Sequence, residues 1–559
     1  MNFIKKFFAD KKRIVIMCLL LLLIVQLSVL CMYGIRKSGF HEDEFYSYYT
    51  TNKTAGLFVN DRTWLSRDEF RNDFVVLPGE EFRYDVVKLM QSWDVHPPFY
   101  YYLLHTVCSL STGIFSKWQG IFVNLIAFVP CFFLLFYLGY SCMTAEPAKE
   151  KLPAGQDKRA LFLSFATCLF WGFGAAVISG VMFIRMYQWL MLFVLLCACL
   201  HVRALKKGRL TITFYLPLAF TVFFGFMTQY YYIIFHFFIG FGFCVLLLKK
   251  KQVKEIVFYG LSCVAGFAAA VLYYPASMSH IFRGYRGTEA VSEFSNAENT
   301  LGRLRFFSGL FDDYVMNDTL IIWLLLLCLL YLTVGYLKKK DSVKKRMPGA
   351  EPAALLLFAG IGYFFTISKT ALLLGETSNR YQLPIYGILI FLLLYYVTAP
   401  IFFLYDRGEE KRREKGAEKG TKWQYCFWAL LFGVLLILDI TAMKQDKVFF
   451  LYEEEQEMMA HVKENSTVPV VVFYNDASPD NVWRISDQLM EVPKVYLASQ
   501  GNAEPLTDST IKDSERLLVY VADYEDKQAC LLGLIESNKN VEEYREIGQK
   551  GLWTLYEVE

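Results

Sequence analysis

The sequence predicts a polytopic α-helical membrane protein of about eleven spans with a small C-terminal extracytoplasmic α/β domain. Two observations carry this expectation. Hydrophobic residues make up 55% of the chain, and they are bunched into runs of roughly 17–25, the length that crosses ~30 Å of hydrocarbon. The charge is also divided: residues 444–559 hold 11 Lys and Arg against 23 Asp and Glu, which leaves +15 on the rest of the chain. Length alone would permit several soluble domains, but this composition excludes them for residues 1–442. A basic membrane part beside an acidic tail, with no basic groove interleaved with aromatics, excludes nucleic acid as a partner.

The first run, residues 14–32, follows Lys5, Lys6, Lys11, Lys12 and Arg13. It is long and lacks a small-x-small cleavage site, so an uncleaved anchor with its amino end in the cytoplasm is expected. Further spans are expected at 119–142, 160–180, 186–203, 211–228, 230–248, 256–275, 319–337, 353–373, 382–404 and 424–442. Five connecting loops are strongly basic: 141–159, 203–210, 249–255, 338–352 and 405–423. Cytoplasmic loops collect Lys and Arg, which places all five inside. Alternation then requires that the stretch 98–140 cross only once. Residues 99–108 are short, follow Pro97-Pro98 and are rich in tyrosine, so they are assigned to a helix at the outer interface.

Two long outer loops result, about 34–118 and 276–318, and the carboxyl end lies outside. In the tail, 468–474, 494–498, 517–522 and 552–558 alternate as strands do, with helices at 481–490 and 527–538. Most of the 13 cysteines lie in apolar runs, where cysteine behaves as a small hydrophobe. The tail holds only Cys530 and the chain has no CxxC pair, so neither a tail disulfide nor a zinc site is expected.

Four polar motifs fall on the outer face under this topology. The first is His41-Glu42-Asp43-Glu44 just beyond the first span, where neighbouring like charges raise at least one carboxyl pKa. The second is Asp94-Val95-His96-Pro97-Pro98-Phe99-Tyr100-Tyr101-Tyr102, whose prolines suit a first helical turn. The third and fourth are Arg185-Met186-Tyr187 and Arg380-Tyr381-Gln382-Leu383-Pro384, each carrying the lone arginine of a short outer turn. A guanidinium fork binds phosphate oxygens in bidentate fashion. Lys369, near the outer end of its span, is a second candidate for phosphate contact, because intramembrane charge is usually paired or functional.

Together these residues resemble the GT-C membrane glycosyltransferases, and most closely the bacterial relatives of protein O-mannosyltransferases and the lipid A aminoarabinose transferases. The resemblance covers residues 1–442. It implies a GT-C-like transmembrane catalytic domain there, followed by an α/β domain from 443 to 559. It implies that Asp43 or Glu44 is the base, that His96 shapes the acceptor side and that Arg380 holds the donor phosphate. From their places in the motifs His41 and Tyr187 are candidates beside His96, and Arg185 and Lys369 are candidates for further phosphate contact. The donor would be a polyprenyl-phosphate sugar and the acceptor a glycan, lipid or protein of the cell envelope. A divalent cation is the one cofactor such relatives leave open. They often carry a second carboxylate just before the Arg-x-Tyr, where this chain has Met182-Phe183-Ile184, so no metal ligands are assigned. A transporter or flippase would show inverted repeats and polar groups near the midplane, and neither is visible. A noncatalytic protein of envelope assembly is the other alternative.

Overall fold

The computed structural model describes residues 11–53, 59–144, 156–208, 210–341, 349–414, 422–522, 527–538 and 540–559. Lys5 and Lys6, expected ahead of the first span, and much of the basic loops at 141–159, 338–352 and 405–423, lie outside them, while Lys11, Lys12 and Arg13 open the first helix. Among the described residues, nine helices are long and apolar enough to cross a membrane, and a bent pair makes a tenth. In chain order the apolar helices are α1 (Lys11–Arg36), α4 (Lys117–Met143), the bent pair α5 (Gln156–Phe173) and α6 (Ala175–Met182), α7 (Tyr187–Lys207), α8 (Ile212–Thr228), α9 (Tyr232–Lys249), α10 (Val253–Tyr273), α11 (Leu320–Asp341), α12 (Ala350–Thr370), α13 (Leu383–Glu414) and α14 (Lys422–Lys444). All eleven expected spans thus fall on apolar helices. The short one is α8 with 17 residues, about 25 Å of helix.

Two shorter helices carry the outer motifs, α2 (Glu42–Asn52) and α3 (Phe99–Ser109). At 11 residues, α3 reaches only about 16 Å and cannot span, as expected. The cross-loop contacts show how the ends of the bundle are sorted. Arg159 pairs with Asp406 at 2.6 Å, Lys250 with Glu351 at 2.7 Å, and Lys206 donates to Thr144 at 2.9 Å. All five basic loops are therefore linked by these contacts at one end, while the four outer motifs meet at the other.

The tail supplies five strands of a six-stranded sheet ordered β1-β3-β2-β4-β6-β5, and the first outer loop supplies β1. Parallel β2 (Val470–Tyr474), β3 (Lys494–Ser499) and β4 (Leu517–Ala522) form its centre. Their continuous apolar runs suit a sheet buried on both faces, and a separate apolar cluster covers each face. Two strands were not expected. One is β5 (Tyr544–Lys550), a mostly exposed edge strand that turns back into β6 (Trp553–Val558) at Gly551, whose φ of +58° favours glycine. The other is β1 (Thr63–Ser66), which comes from the first outer loop and pairs antiparallel with β3. Phe70 from the same loop is buried in the sheet's apolar layer. The helix expected at 481–490 is a 3₁₀ turn over Pro479–Ile485 followed by a single α-turn.

The lysine distribution predicts the sidedness of this architecture. A phosphatase reporter that folds only outside the cytoplasm should be active when fused after Glu559 and inactive when fused after Lys251. The opposite pattern would reverse the orientation.

Candidate active site

The site begins with the local structure that starts α2. His41 is its N-cap: the imidazole Nδ1 accepts from the Asp43 amide at 3.1 Å, and the Glu44 carboxylate accepts from the His41 amide at 2.7 Å. This reciprocal capping box orients two adjacent carboxylates differently. Successive helical positions differ by about 100°, so Asp43 and Glu44 project in different directions.

Glu44 turns inward and is fully buried. Its Oε2 also meets Lys37 Nζ at 2.9 Å, and its Oε1 accepts from the Ile184 amide at 2.8 Å. Lys37, equally buried, donates onward to the Phe450 carbonyl at 2.6 Å. Burial raises the Glu44 carboxyl against the pull of Lys37. With every strong acceptor direction occupied, Glu44 is placed to hold structure together.

Asp43 points the other way, toward Arg380, with Oδ2 and Nη2 3.2 Å apart and 29% of its side chain exposed. Burial alone would raise its carboxyl, but Arg185 and Arg380 outweigh burial and hold it well below the usual carboxylate range. Of the crowded acids, Glu44 is the one that is raised, by burial, while two guanidinia dominate the surroundings of Asp43. Burial pushes the His41 imidazole down to about 3. It stays neutral, as an Nδ1 acceptor must.

Arg185 sits where the bent pair ends. Helix α6 stops at Met182, Phe183 is extended, and the side-chain amide of Asn124 on α4 takes up the Val181 and Phe183 carbonyls at 3.1 and 2.7 Å. From that turn, Arg185 donates to the Asp43 carbonyl and to Ser47 Oγ, each at 3.2 Å, and its Nη2 meets His96 Nε2 at 3.2 Å. A guanidinium only donates, so Nε2 is the acceptor. The imidazole proton then lies on Nδ1, facing Asp94 Oδ2 at 2.9 Å. Arg185 is thus mainly a strut between α2 and the loop before α3, rather than the free phosphate fork expected from its position. Its Nε is buried without a hydrogen-bond partner among the described residues.

Arg380 lies in a single 3₁₀ turn, Thr377–Tyr381, between α12 and α13. It is 7% exposed, its Cζ lies 5.1 Å over the Phe183 ring, and its Nε and Nη1 are buried without hydrogen-bond partners among the described residues. Tyr187, at the start of α7, stacks on Phe183 at 6.0 Å and meets Tyr381 edge-on at 5.8 Å. Lys369 has a different place from the one expected. Its ammonium donates to Asn299 Oδ1 at 2.5 Å, Thr300 Oγ1 at 2.9 Å and the Asn296 carbonyl, which ties the second outer loop to α12. All three of its protons are engaged there.

The structure therefore joins His41, Asp43, His96, Arg185 and Arg380 in one polar group, with Tyr187 beside it and Glu44 behind. Three participants were missed: Lys37, which reads in sequence as a charge marking the end of a span, Asp94, and Phe450 of the tail. Only Asp94 had a signal, its place in the His-Pro-Pro motif. Among the described residues no three His, Cys, Asp or Glu side chains could hold a metal ion together. A cation at Asp43 would also face two guanidinia, so these residues do not fit one.

No protein-family model matches the chain, and no curated protein matches it. Among solved structures, the chain is similar to ArnT from Cupriavidus metallidurans bound to undecaprenyl phosphate, with 12% identity, a TM-score of 0.49, and 96% of this chain and 97% of that one covered. The apo state of the same protein aligns with 12% identity and a TM-score of 0.41, over 92% and 96% of the two chains. The archaeal oligosaccharyltransferase AglB from Archaeoglobus fulgidus, in complex with an inhibitory peptide and a dolichol-phosphate, aligns with 10% identity and a TM-score of 0.41, over 95% and 74%.

The buried pair gives a stability prediction. Lys37→Met strands the Glu44 carboxylate and should cost about 3–5 kcal/mol. The double variant with Glu44→Gln should recover part of the loss. Thermal unfolding of the purified protein measures this, and an unchanged midpoint for the single variant would show that the pair carries no load.

Proposed function

We propose that the protein is a membrane glycosyltransferase that moves a sugar from a polyprenyl-phosphate donor to the hydroxyl of an extracytoplasmic acceptor. The observation that carries this reading is the Asp43–Arg380 pair: an accessible carboxylate against a buried guanidinium that still has two open donors. Leaving such donors buried and unpaired costs free energy, and an incoming phosphate removes that cost with charge-assisted bonds.

The resting pair also suggests how the base is switched on. A carboxylate held far below its ordinary pKa is a poor proton acceptor. When the donor phosphate takes over Arg380, it withdraws one of the two cations beside Asp43 and adds negative charge nearby, and both effects raise the carboxyl pKa. Asp43 then accepts the acceptor's O–H proton while that oxygen forms a bond to the anomeric carbon. The bond from that carbon to the phosphate oxygen breaks, and its electron pair leaves on the phosphate. Arg380, already fixed in place, stabilises the growing charge with little reorganisation. Attack from the face opposite the phosphate inverts the anomeric centre. Asp94, His96 and Arg185 hold α2 and the start of α3 in register so that Asp43 stays aimed.

Membranes containing the protein, incubated with radiolabelled polyprenyl-phosphate sugars, test the reading. Asp43→Asn should retain donor binding and lose transfer by about 10²–10⁴-fold. Arg380→Ala should lose both. Equal transfer by all three proteins, or no transfer from any donor, would defeat it.

A further inference from the structure

A cleft of about 310 Å³ lies beside the site, between the end of α1, the Arg380 turn and the strap that runs from α14 into the tail. Its walls include Tyr33 and Arg36 of α1, Thr377 of the turn, and Asp446, Phe450 and Glu454 of the strap. The volume is at the lower end of ligand pockets, roughly 300–1,000 Å³. Phe450 forms the partition with the site already described. Its ring stacks on Phe183 at 4.1 Å and meets His41 at 5.8 Å, and the Arg380 Cζ lies 5.1 Å from the centre of the same Phe183 ring. One aromatic side chain thus separates the cleft from the neighbours of Asp43.

The chemistry of the cleft differs from that of the phosphate side. It contains Arg36, whose guanidinium is already taken by Glu453 in a bidentate pair at 2.7 and 2.8 Å. Asp446, with 80% of its side chain exposed and 3.5 Å from the same guanidinium, and Glu454 bring the lining to three carboxylates against the single cation of Arg36. The polar equipment is therefore carboxylate, hydroxyl and peptide, set among aromatic rings. Carboxylates accept strong hydrogen bonds from hydroxyl and ammonium groups and repel anions. The shape is set in advance. Asp446, Phe450 and Tyr452 all hold left-handed backbone, with φ of +52°, +64° and +54°, a conformation that bulky residues keep only where the surroundings impose it. Lys37 on the Phe450 carbonyl, the Ser38 amide on the Leu451 carbonyl at 2.7 Å, and Ser179 Oγ accepting the Phe449 amide at 2.8 Å impose it here.

We infer that this cleft is the subsite for the saccharide part of the acceptor, and that it takes an uncharged or amine-bearing sugar and rejects an anionic one. The inference rests on the transfer reading above, but its test does not use the lipid donor. Binding of soluble disaccharides to the full-length protein in nanodiscs, followed by saturation-transfer NMR, compares a neutral, an amine-bearing and a uronic-acid disaccharide with inorganic phosphate. The amine-bearing sugar should bind best and the uronic sugar worst. Asp446→Asn with Glu454→Gln should weaken the amine-bearing sugar about tenfold, one charge-assisted bond's worth, and leave polyprenyl-phosphate binding unchanged. Arg380→Ala should leave sugar binding within about twofold, because the cleft stands apart from the phosphate donors. Equal binding of uronic and amine-bearing sugars, no effect of the double variant, loss of sugar binding in Arg380→Ala, or no binding of any disaccharide would each overturn the inference. If donor transfer fails while the sugars bind as described, the earlier reading fails and the cleft remains a sugar site.

Discussion

The arrangement depends on one buried carboxylate. Glu44 takes donors from three segments: Lys37 after the first span, the backbone ahead of α2, and the Ile184 amide in the break between α6 and α7. Through Lys37 it reaches a fourth, the Phe450 carbonyl of the strap beyond the last span. Lys37 and His41 are close in sequence, but Ile184 and Phe450 lie more than a hundred residues from them and from each other. In a low-dielectric interior such a group is stable only if all its members are satisfied, so the four segments are held in one relative position. That position sets where Asp43 and Arg380 meet.

The two neighbouring acids thereby divide the work. A helix start caps itself with a carboxylate at its third position, and that requirement directs Glu44 inward. Asp43, one residue earlier, is turned about 100° away into the field of two arginines. Their different environments follow from helical geometry and not from their side-chain chemistry, which is nearly the same. The phosphate side of the site is rich in open donors, whereas the cleft behind the strap is rich in acceptors. On the proposed reading, this difference sorts a donor phosphate from a hydroxyl-bearing acceptor before any chemistry takes place.

The tail is tied to the site as well as following it in sequence. Arg484 pairs with Glu42 at 2.5 Å, Tyr46 meets Asp480 at 3.3 Å, and Trp483 packs on Tyr49 with ring centroids 4.1 Å apart. Buried Lys550 binds Glu455 and Asp487, each at 2.7 Å, and so joins the last hairpin to the strap. The first outer loop returns the connection by adding β1 to the sheet. Domain and site therefore form one cooperative contact surface, and the sheet steadies α2 from the outer side.

The chain's own pattern was enough to set the apolar helices, the clustering of motifs at one end, and most of the tail's strands. Hydrophobic length, lysine placement and period-two alternation are local properties, and they survive in any fold that buries them. The edge strand β1 was not legible, because a four-residue strand acquires its identity only from the partner it pairs with. Nor could the sequence separate Asp43 from Glu44, foresee that Arg185 is a strut, or see that Lys369 is occupied by the second outer loop. Those outcomes depend on which donor reaches which acceptor across more than a hundred residues of chain, as Glu44 and Ile184 do. Desolvation and geometry decide such pairings, and both exist only once the helices are packed.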